Sequence, residues 1–320
     1  MKKKAVLALI IGLLAIGAAS AWAIKKAVST DDKHVNIFEK TTTECPGIKW
    51  VDAIDSSQMV FPINIEGELY FAGERVPLED PDVRERLERE LQLNAYWHSN
   101  TLMSMKLANR YFDELENILT ANGVPTDLKY MALIESNFRN DVSPAGAAGF
   151  WQFVKGTAKN FDLEVNEEVD ERYNIEKSTL AACKFLKDAK EKLGNWTLAV
   201  ASYNMGLSAM QERVKDQKTT SYYDMYFNPE TSRYLFRMIA IKIIFSNPKR
   251  AGFFLKPEEL YQPYKYKTLE VDGGIPNIAD FAAQYNLKYK HIKIVNTWLR
   301  DAKLTNSNHK KYTIKIMELN

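Results

Sequence analysis

Cysteine is scarce: 320 residues hold only Cys45 and Cys183, far apart and without partners at metal-ligand spacing. That excludes a disulfide-built scaffold and a cysteine zinc site, while a single Cys45–Cys183 bridge stays compatible with the count. Cys45 lies too far past the apolar N-terminal run to carry a lipid, and Cys183 reads as a small apolar residue on a helix. An excess of charge is missing too. The 43 basic and 41 acidic residues leave a net charge of +2, and no dense Lys/Arg block follows the first few residues, so nucleic acid is not an expected partner. There are no tandem repeats, and between residues 83 and 250 no useful run alternates apolar and polar side chains, which argues against a doubly wound sheet or a barrel.

What is present is an ordinary globular composition, 46% hydrophobic and 26% charged, in a chain long enough for a main domain and a smaller one. Met1-Lys2-Lys3-Lys4 followed by an uncharged stretch to Ile24 has the form of an export signal, with Ala21-Trp22-Ala23 as the cleavage motif. The same stretch is also long enough for an uncleaved membrane anchor. Residues 1–24 are therefore read as signal peptide or anchor, with everything downstream outside the cytoplasm. Residues 25–82 read as a tether and packing segment. From 83 to 121 an apolar stripe including Leu87, Leu91, Trp97, Leu102, Tyr111 and Leu115 predicts one long helix or two consecutive ones. Further helices are expected from a Thr126 or Asp127 cap to Glu135, over 178–193, 196–203 and 230–245, the last ended by Asn247-Pro248. After Pro257 the pattern becomes strand 266–271, a Gly273-Gly274 turn, helices 278–285 and 291–296, and strand 312–316.

Glu135 closes the apolar run 128–134 and stands near a loop, 145–152, rich in Gly and Ala. A carboxylate at the end of an oily helix is placed to lose water and hold its proton near neutrality, as a general acid must. Alone, it reads first as a surface or capping glutamate at a helix end. No second acid stands out, since Asp141, Glu164, Glu167, Glu168 and Asp170 lie in polar, loop-like sequence and read as solvated charges. A lone acid suits a reaction in which one carboxyl serves first as acid and then as base, without a second enzyme carboxylate. The other candidates each carry two readings. Ser136 adjoins the acid or merely ends the helix; Gly146 and Gly149 admit a ligand or a tight turn; Phe150 and Trp151 stack on a ligand or fill the core. Gln152 can pair with a polar ligand or lie on the surface, Tyr203 can hold the acid or sit in the core, and Glu230, four residues before Tyr234 on one helix face, contacts a ligand or caps its helix.

Four ordered blocks carry a resemblance: Glu135-Ser136; Gly146-Ala147-Ala148-Gly149-Phe150-Trp151-Gln152-Phe153 leading to Gly156-Thr157-Ala158; Ala201-Ser202-Tyr203-Asn204-Met205-Gly206; and Glu230-Thr231-Ser232-Arg233-Tyr234. Together they resemble the soluble lytic transglycosylase family, whose domain is related to goose-type lysozyme. The resemblance implies a mainly α fold with a lysozyme-like helical catalytic domain over residues 83–256. It implies that Glu135 is the catalytic acid, that Ser136, Gly149, Trp151, Gln152, Tyr203, Asn204, Glu230 and Tyr234 serve the substrate, and that neither metal nor organic cofactor takes part. Within that set Tyr203 is expected to hold Glu135, Asn204 to contact the acetamido sugar and Tyr234 to lie on the substrate side. The implied substrate is peptidoglycan, cut between N-acetylmuramic acid and N-acetylglucosamine with formation of 1,6-anhydro ends, in the periplasm or cell envelope. A hydrolytic muramidase and a non-catalytic wall-binding scaffold are the alternatives.

Residues 257–320 resemble a degenerate LysM module, a small α+β unit, through Leu269-Glu270-Val271-Asp272-Gly273-Gly274, Ile278-Ala279, Asn286 and Ile294-Val295-Asn296. The unit is expected to be separable, and to bind glycan or act as a packing appendage.

Overall fold

The computed structural model describes residues 62–319. The export or anchor segment, most of the tether and Cys45 lie outside the described residues. Among the described residues, no helix is long and apolar enough to cross a membrane.

A short antiparallel hairpin comes first, β1 (Leu69–Phe71) with β2 (Glu74–Val76), paired Leu69 to Val76 through Phe71 to Glu74. It falls in the segment read as tether and packing segment, and Phe71 and Val76 are buried in the main core. Two consecutive helices follow, α1 (Pro81–Tyr96) and α2 (His98–Ala121). Asp80 caps α1 through the Asp82 amide, and Trp97, with ψ near 60°, interrupts the α-helical path between the two. The apolar stripe of α1, Val83, Leu87 and Leu91, is fully buried along the long helix α8 (Pro229–Ser246). Glu90 on the same face is 1% exposed and is held by Arg233 of α8 at 2.5 Å.

Between these lie α3 (Lys129–Ser136), α4 (Lys155–Asn160), α5 (Ile175–Leu193), α6 (Trp196–Met205) and α7 (Leu207–Gln217). The start of α3 differs from expectation. A 3₁₀ turn, Thr126–Leu128, precedes it without a side-chain cap, and the Asp127 carboxylate instead accepts from the Ala72 amide at 2.8 Å and from Lys242 at 2.7 Å. Helix α5 begins three residues earlier than its apolar pattern indicated because Asn174 caps it through the Lys177 amide. Cys183 is buried in α5.

The C-terminal unit has the expected strand, helix, helix, strand order: β3 (Tyr266–Val271), α9 (Ile278–Ala283), α10 (Tyr289–Val295) and β4 (Tyr312–Met317). The strands pair antiparallel from Tyr266 with Met317 to Val271 with Tyr312. The C-terminal unit, expected to be separable, packs directly on the helical part. Its apolar core, built on Ile278, Ile292, Trp298 and Ile314, also takes in Ala148, Val169 and Tyr173 from the helical part. Backbone joins them as well: the Asp170 amide donates to Trp298 O at 2.9 Å and the Arg300 amide to Glu168 O at 2.8 Å.

Candidate active site

Helix α3 is eight residues long and ends abruptly because Asn137 and Phe138 both take the left-handed conformation, with φ of 51° and 52°. Its apolar residues Met131, Ala132 and Leu133 are sunk in the core, which brings Glu135, in the last turn, to the floor of a cleft of about 290 Å³. Helix α8 supplies the facing wall. Glu230, Tyr234 and Arg237 recur at steps of four and three, which sets them on one side of that helix. The buried Tyr234 hydroxyl donates to Glu135 Oε1.

The electrostatics of Glu135 follow from this arrangement. Burial pushes its carboxyl above the usual carboxylate range and the negative charge of Glu230 pushes it further, while the Tyr234 hydrogen bond and the Arg237 charge pull it back. Burial also raises the Tyr234 hydroxyl well above the ordinary phenol value, with Glu135 adding to the effect, so that tyrosine remains a donor. Glu135 is thus a carboxyl inclined to hold a proton, oriented by a neutral hydroxyl and open to the cleft.

The sequence expectation gave Tyr203 the role of holding the acid; the structure assigns that contact to Tyr234. Tyr203 donates instead to the Trp151 carbonyl at 2.6 Å, and its ring packs between Phe153 and Phe185, so it anchors the loop backbone. Trp151 is also corrected. It is 0% exposed and its Nε1 donates to Thr179 Oγ1 at 2.9 Å, which leaves no ring face for a sugar. Gly149 is buried with φ of +78°, and a Cβ there would lie 1.8 Å from the Arg172 carbonyl. The close approach that requires glycine is to protein backbone, not to a ligand. Phe150 fills the core against Tyr111 and Phe138.

Gln152 does line the cleft with Glu135 and Ser136. Its backbone is left-handed, φ 47°, and its Nε2 donates to Gly149 O at 3.0 Å. Ser136 Oγ is engaged locally, donating to Ala132 O at 3.0 Å and accepting from the Phe138 amide at 3.1 Å. Asn204 and Glu230 lie outside the cleft lining and bind one another, Nδ2 to Oε1 at 3.1 Å, while Thr231 Oγ1 donates to Asn204 Oδ1 at 2.8 Å. Glu230 is not the helix cap; Asn228 accepts from the Thr231 amide at 2.9 Å.

Several lining residues escaped sequence reading. Trp97, placed in the apolar stripe, is 59% exposed at the break between α1 and α2 and borders the cleft. Asn100 and Asn137 form an amide pair, Nδ2 of Asn137 to Oδ1 of Asn100 at 2.8 Å. Arg237 could have been found from its seven-residue step beyond Glu230. Asp141, also in the lining, is exposed and paired with Arg139 at 3.3 Å. Asp170, expected to be solvated, is 6% exposed because Arg172 neutralises it at 2.7 Å. Among the described residues, no group of three or more His, Cys, Asp or Glu is arranged to hold a metal.

Comparison with known proteins agrees with this architecture. The chain is 27% identical over 227 residues to membrane-bound lytic murein transglycosylase D of Escherichia coli (strain K12), covering 68% of this chain and 49% of that protein. It therefore spans about half the length of the curated relative it matches. An inactive variant of the lytic transglycosylase Slt from Pseudomonas aeruginosa is similar at 19% identity and a TM-score of 0.36, over 47% of this chain and 26% of that one. Residues 88–226 match the family described as transglycosylase SLT domain, and residues 267–318 match the soluble lytic transglycosylase C-terminal LysM-like domain. The chain thus carries a transglycosylase SLT domain followed by a LysM-like domain of the soluble lytic transglycosylases.

Proposed function

We propose that this protein is a peptidoglycan lytic transglycosylase of the cell envelope, cleaving the β-1,4 bond between N-acetylmuramic acid and N-acetylglucosamine. The observation that carries the proposal is a single desolvated carboxyl, Glu135, held by a tyrosine hydroxyl in a cleft whose other carboxylate, Asp141, is exposed and neutralised by Arg139. A retaining glycosidase with an enzyme nucleophile needs two carboxyl groups across the scissile bond. One acid suffices when the substrate closes on itself. Glu135 gives its proton to the glycosidic oxygen as the C1–O bond breaks, and N-acetylglucosamine leaves as an alcohol. The resulting carboxylate takes the proton of the muramoyl C6 hydroxyl, whose oxygen bonds to C1, so a 1,6-anhydro ring forms and Glu135 regains its proton without consuming water.

In the same reading the Tyr234 hydroxyl keeps Glu135 aimed through both steps, and Gln152 with the Asn100–Asn137 amides offers donors and acceptors to acetamido and hydroxyl groups. The N-terminal segment would direct the protein out of the cytoplasm, as a cleaved signal or as an anchor. Mass analysis of muropeptides released from purified sacculi tests the activity, because an anhydro end is one water lighter than a hydrolysed end. Hydrolysed ends would establish a muramidase, and binding to sacculi without release would establish a scaffold.

A further inference from the structure

The loop that brings Gln152 to the cleft is held from behind by one buried side chain. Arg172, 8% exposed, donates through Nη1 to the Gly146 carbonyl at 2.8 Å and to the Phe153 carbonyl at 3.0 Å, so one guanidinium nitrogen spans both ends of the loop. Its remaining donors grip Asp170, Nε at 2.9 Å and Nη2 at 2.7 Å, and its own carbonyl is the surface on which Gly149 lies. Lysine could not reproduce this, since it lacks the rigid fork that serves several acceptors at once.

The segment carrying Arg172 is fixed in turn by the C-terminal unit. Trp298 O receives the Asp170 amide at 2.9 Å, Thr297 Oγ1 donates to Tyr173 O at 2.6 Å, and Lys310 and Tyr312 reach Glu164 at 2.5 and 2.9 Å. Val169 and Tyr173 on this segment, and Ala148 on the loop itself, are buried in the apolar core of the C-terminal unit. The loop therefore lies between the cleft on one side and the C-terminal unit on the other.

We infer that Arg172 is a positioning residue and that the C-terminal unit acts through it, setting the conformation of loop 146–153 and so the place of Gln152 in the cleft. The inference concerns loop geometry; its effect on turnover rests on the transglycosylase reading above. Gln152 holds a left-handed backbone, and Gly149 tolerates no Cβ, so the loop keeps its shape only while its support is in register. Loosening the support should weaken substrate binding more than the chemical step, because Glu135 and Tyr234 stand on α3 and α8, outside the loop.

The test uses the full chain and three forms: wild type, Arg172→Lys, and the pair Thr297→Val with Lys310→Met, which alters only the C-terminal unit. Hydrogen exchange is followed at the Ala148 and Gln152 amides, which bond to Phe153 O and Gly149 O, alongside KM and kcat on a defined glycan. Both variants should exchange these amides at least tenfold faster, with α1 and α8 unchanged, while KM rises several-fold and kcat stays within twofold. If Arg172→Lys does not fold, the C-terminal pair alone decides. Exchange that accelerates only within the C-terminal unit would overturn the inference, as would faster loop exchange with unchanged KM. Failure of wild type to form anhydro ends would instead overturn the transglycosylase reading, and the exchange result would stand apart from it.

Discussion

The cleft and the junction with the C-terminal unit both bury carboxylates, and they give them different partners. At the junction Lys315 bridges Glu114 at 3.3 Å and Glu176 at 2.5 Å, and Glu171, 2% exposed, is held by Lys177 and lies 3.5 Å from Lys310. Burial opposes the charge on Glu114 and Glu176, and the Lys315 ammonium holds Glu176 below the usual carboxylate range, while burial and the neighbouring Glu176 charge keep Glu114 above it. In the cleft the contact to Glu135 is a tyrosine hydroxyl, and burial carries the carboxyl upward. At the junction the carboxyls share cations that tie elements together, whereas the neutral donor on Glu135 leaves a carboxyl inclined to keep a proton available for transfer. The same residue type serves architecture or chemistry according to what touches it.

The strongest break of this comparison is Glu135→Gln. It should reduce release of muropeptides by roughly 10³-fold or more, since the amide keeps the shape but has no proton to give. Stability moves the other way. The folded carboxyl lies above its unfolded value, so the native state holds the extra proton between the two and wild-type stability falls as pH rises through that window. The Gln variant lacks that decline and should melt no lower than wild type at neutral pH, as denaturation at several pH values would establish.

Tyr234→Phe should come next, lowering kcat by roughly 10²-fold, because the hydroxyl orients the acid in both proton transfers. Tyr203→Phe removes only the bond to the Trp151 carbonyl, so it should cost about 1 kcal/mol of stability and leave kcat within a few-fold. Parallel kinetics and melting of the two variants separate them, and a larger kcat loss at Tyr203 would reverse the assignment.

At the junction, Lys315→Met strands Glu114 and Glu176 together. Both carboxylates keep partial solvent contact, so the cost should be about 1–3 kcal/mol in denaturant unfolding, with kcat at saturating glycan little changed. The smallest effects concern pH. Activity should fall as pH rises through the elevated Glu135 value; Glu230→Gln removes a charge that raises it and should shift this alkaline limb to lower pH, and Arg237→Gln should shift it to higher pH.

Much of the helical part was legible in the chain, for local reasons. The step of four and three that defines α8 and the alternation of β3 are properties of neighbouring residues, and the observed bounds Pro229–Ser246 and Tyr266–Val271 agree with the pattern. Hairpin β1–β2 was missed because three-residue strands carry too little alternation to distinguish from a polar tether. Asp170 was misread because its partner Arg172, two residues away, could equally have pointed to solvent; the contact of its amide with Trp298 O and the burial of Val169 and Tyr173 in the core of the C-terminal unit are long-range.

The sequence by itself determined most of the helices and the C-terminal strands, the place of Glu135 at the end of an apolar run, and the α8 face shared by Glu230 and Tyr234. Only the tertiary structure decided that Tyr234 and not Tyr203 meets the acid, that Trp151 is sunk while Trp97 is exposed, and that the C-terminal unit backs the Gln152 loop. Periodicity marks which residues of one element share a face, but which two faces meet, and so whether a hydroxyl finds a carboxylate or a carbonyl, depends on packing between elements distant in the chain.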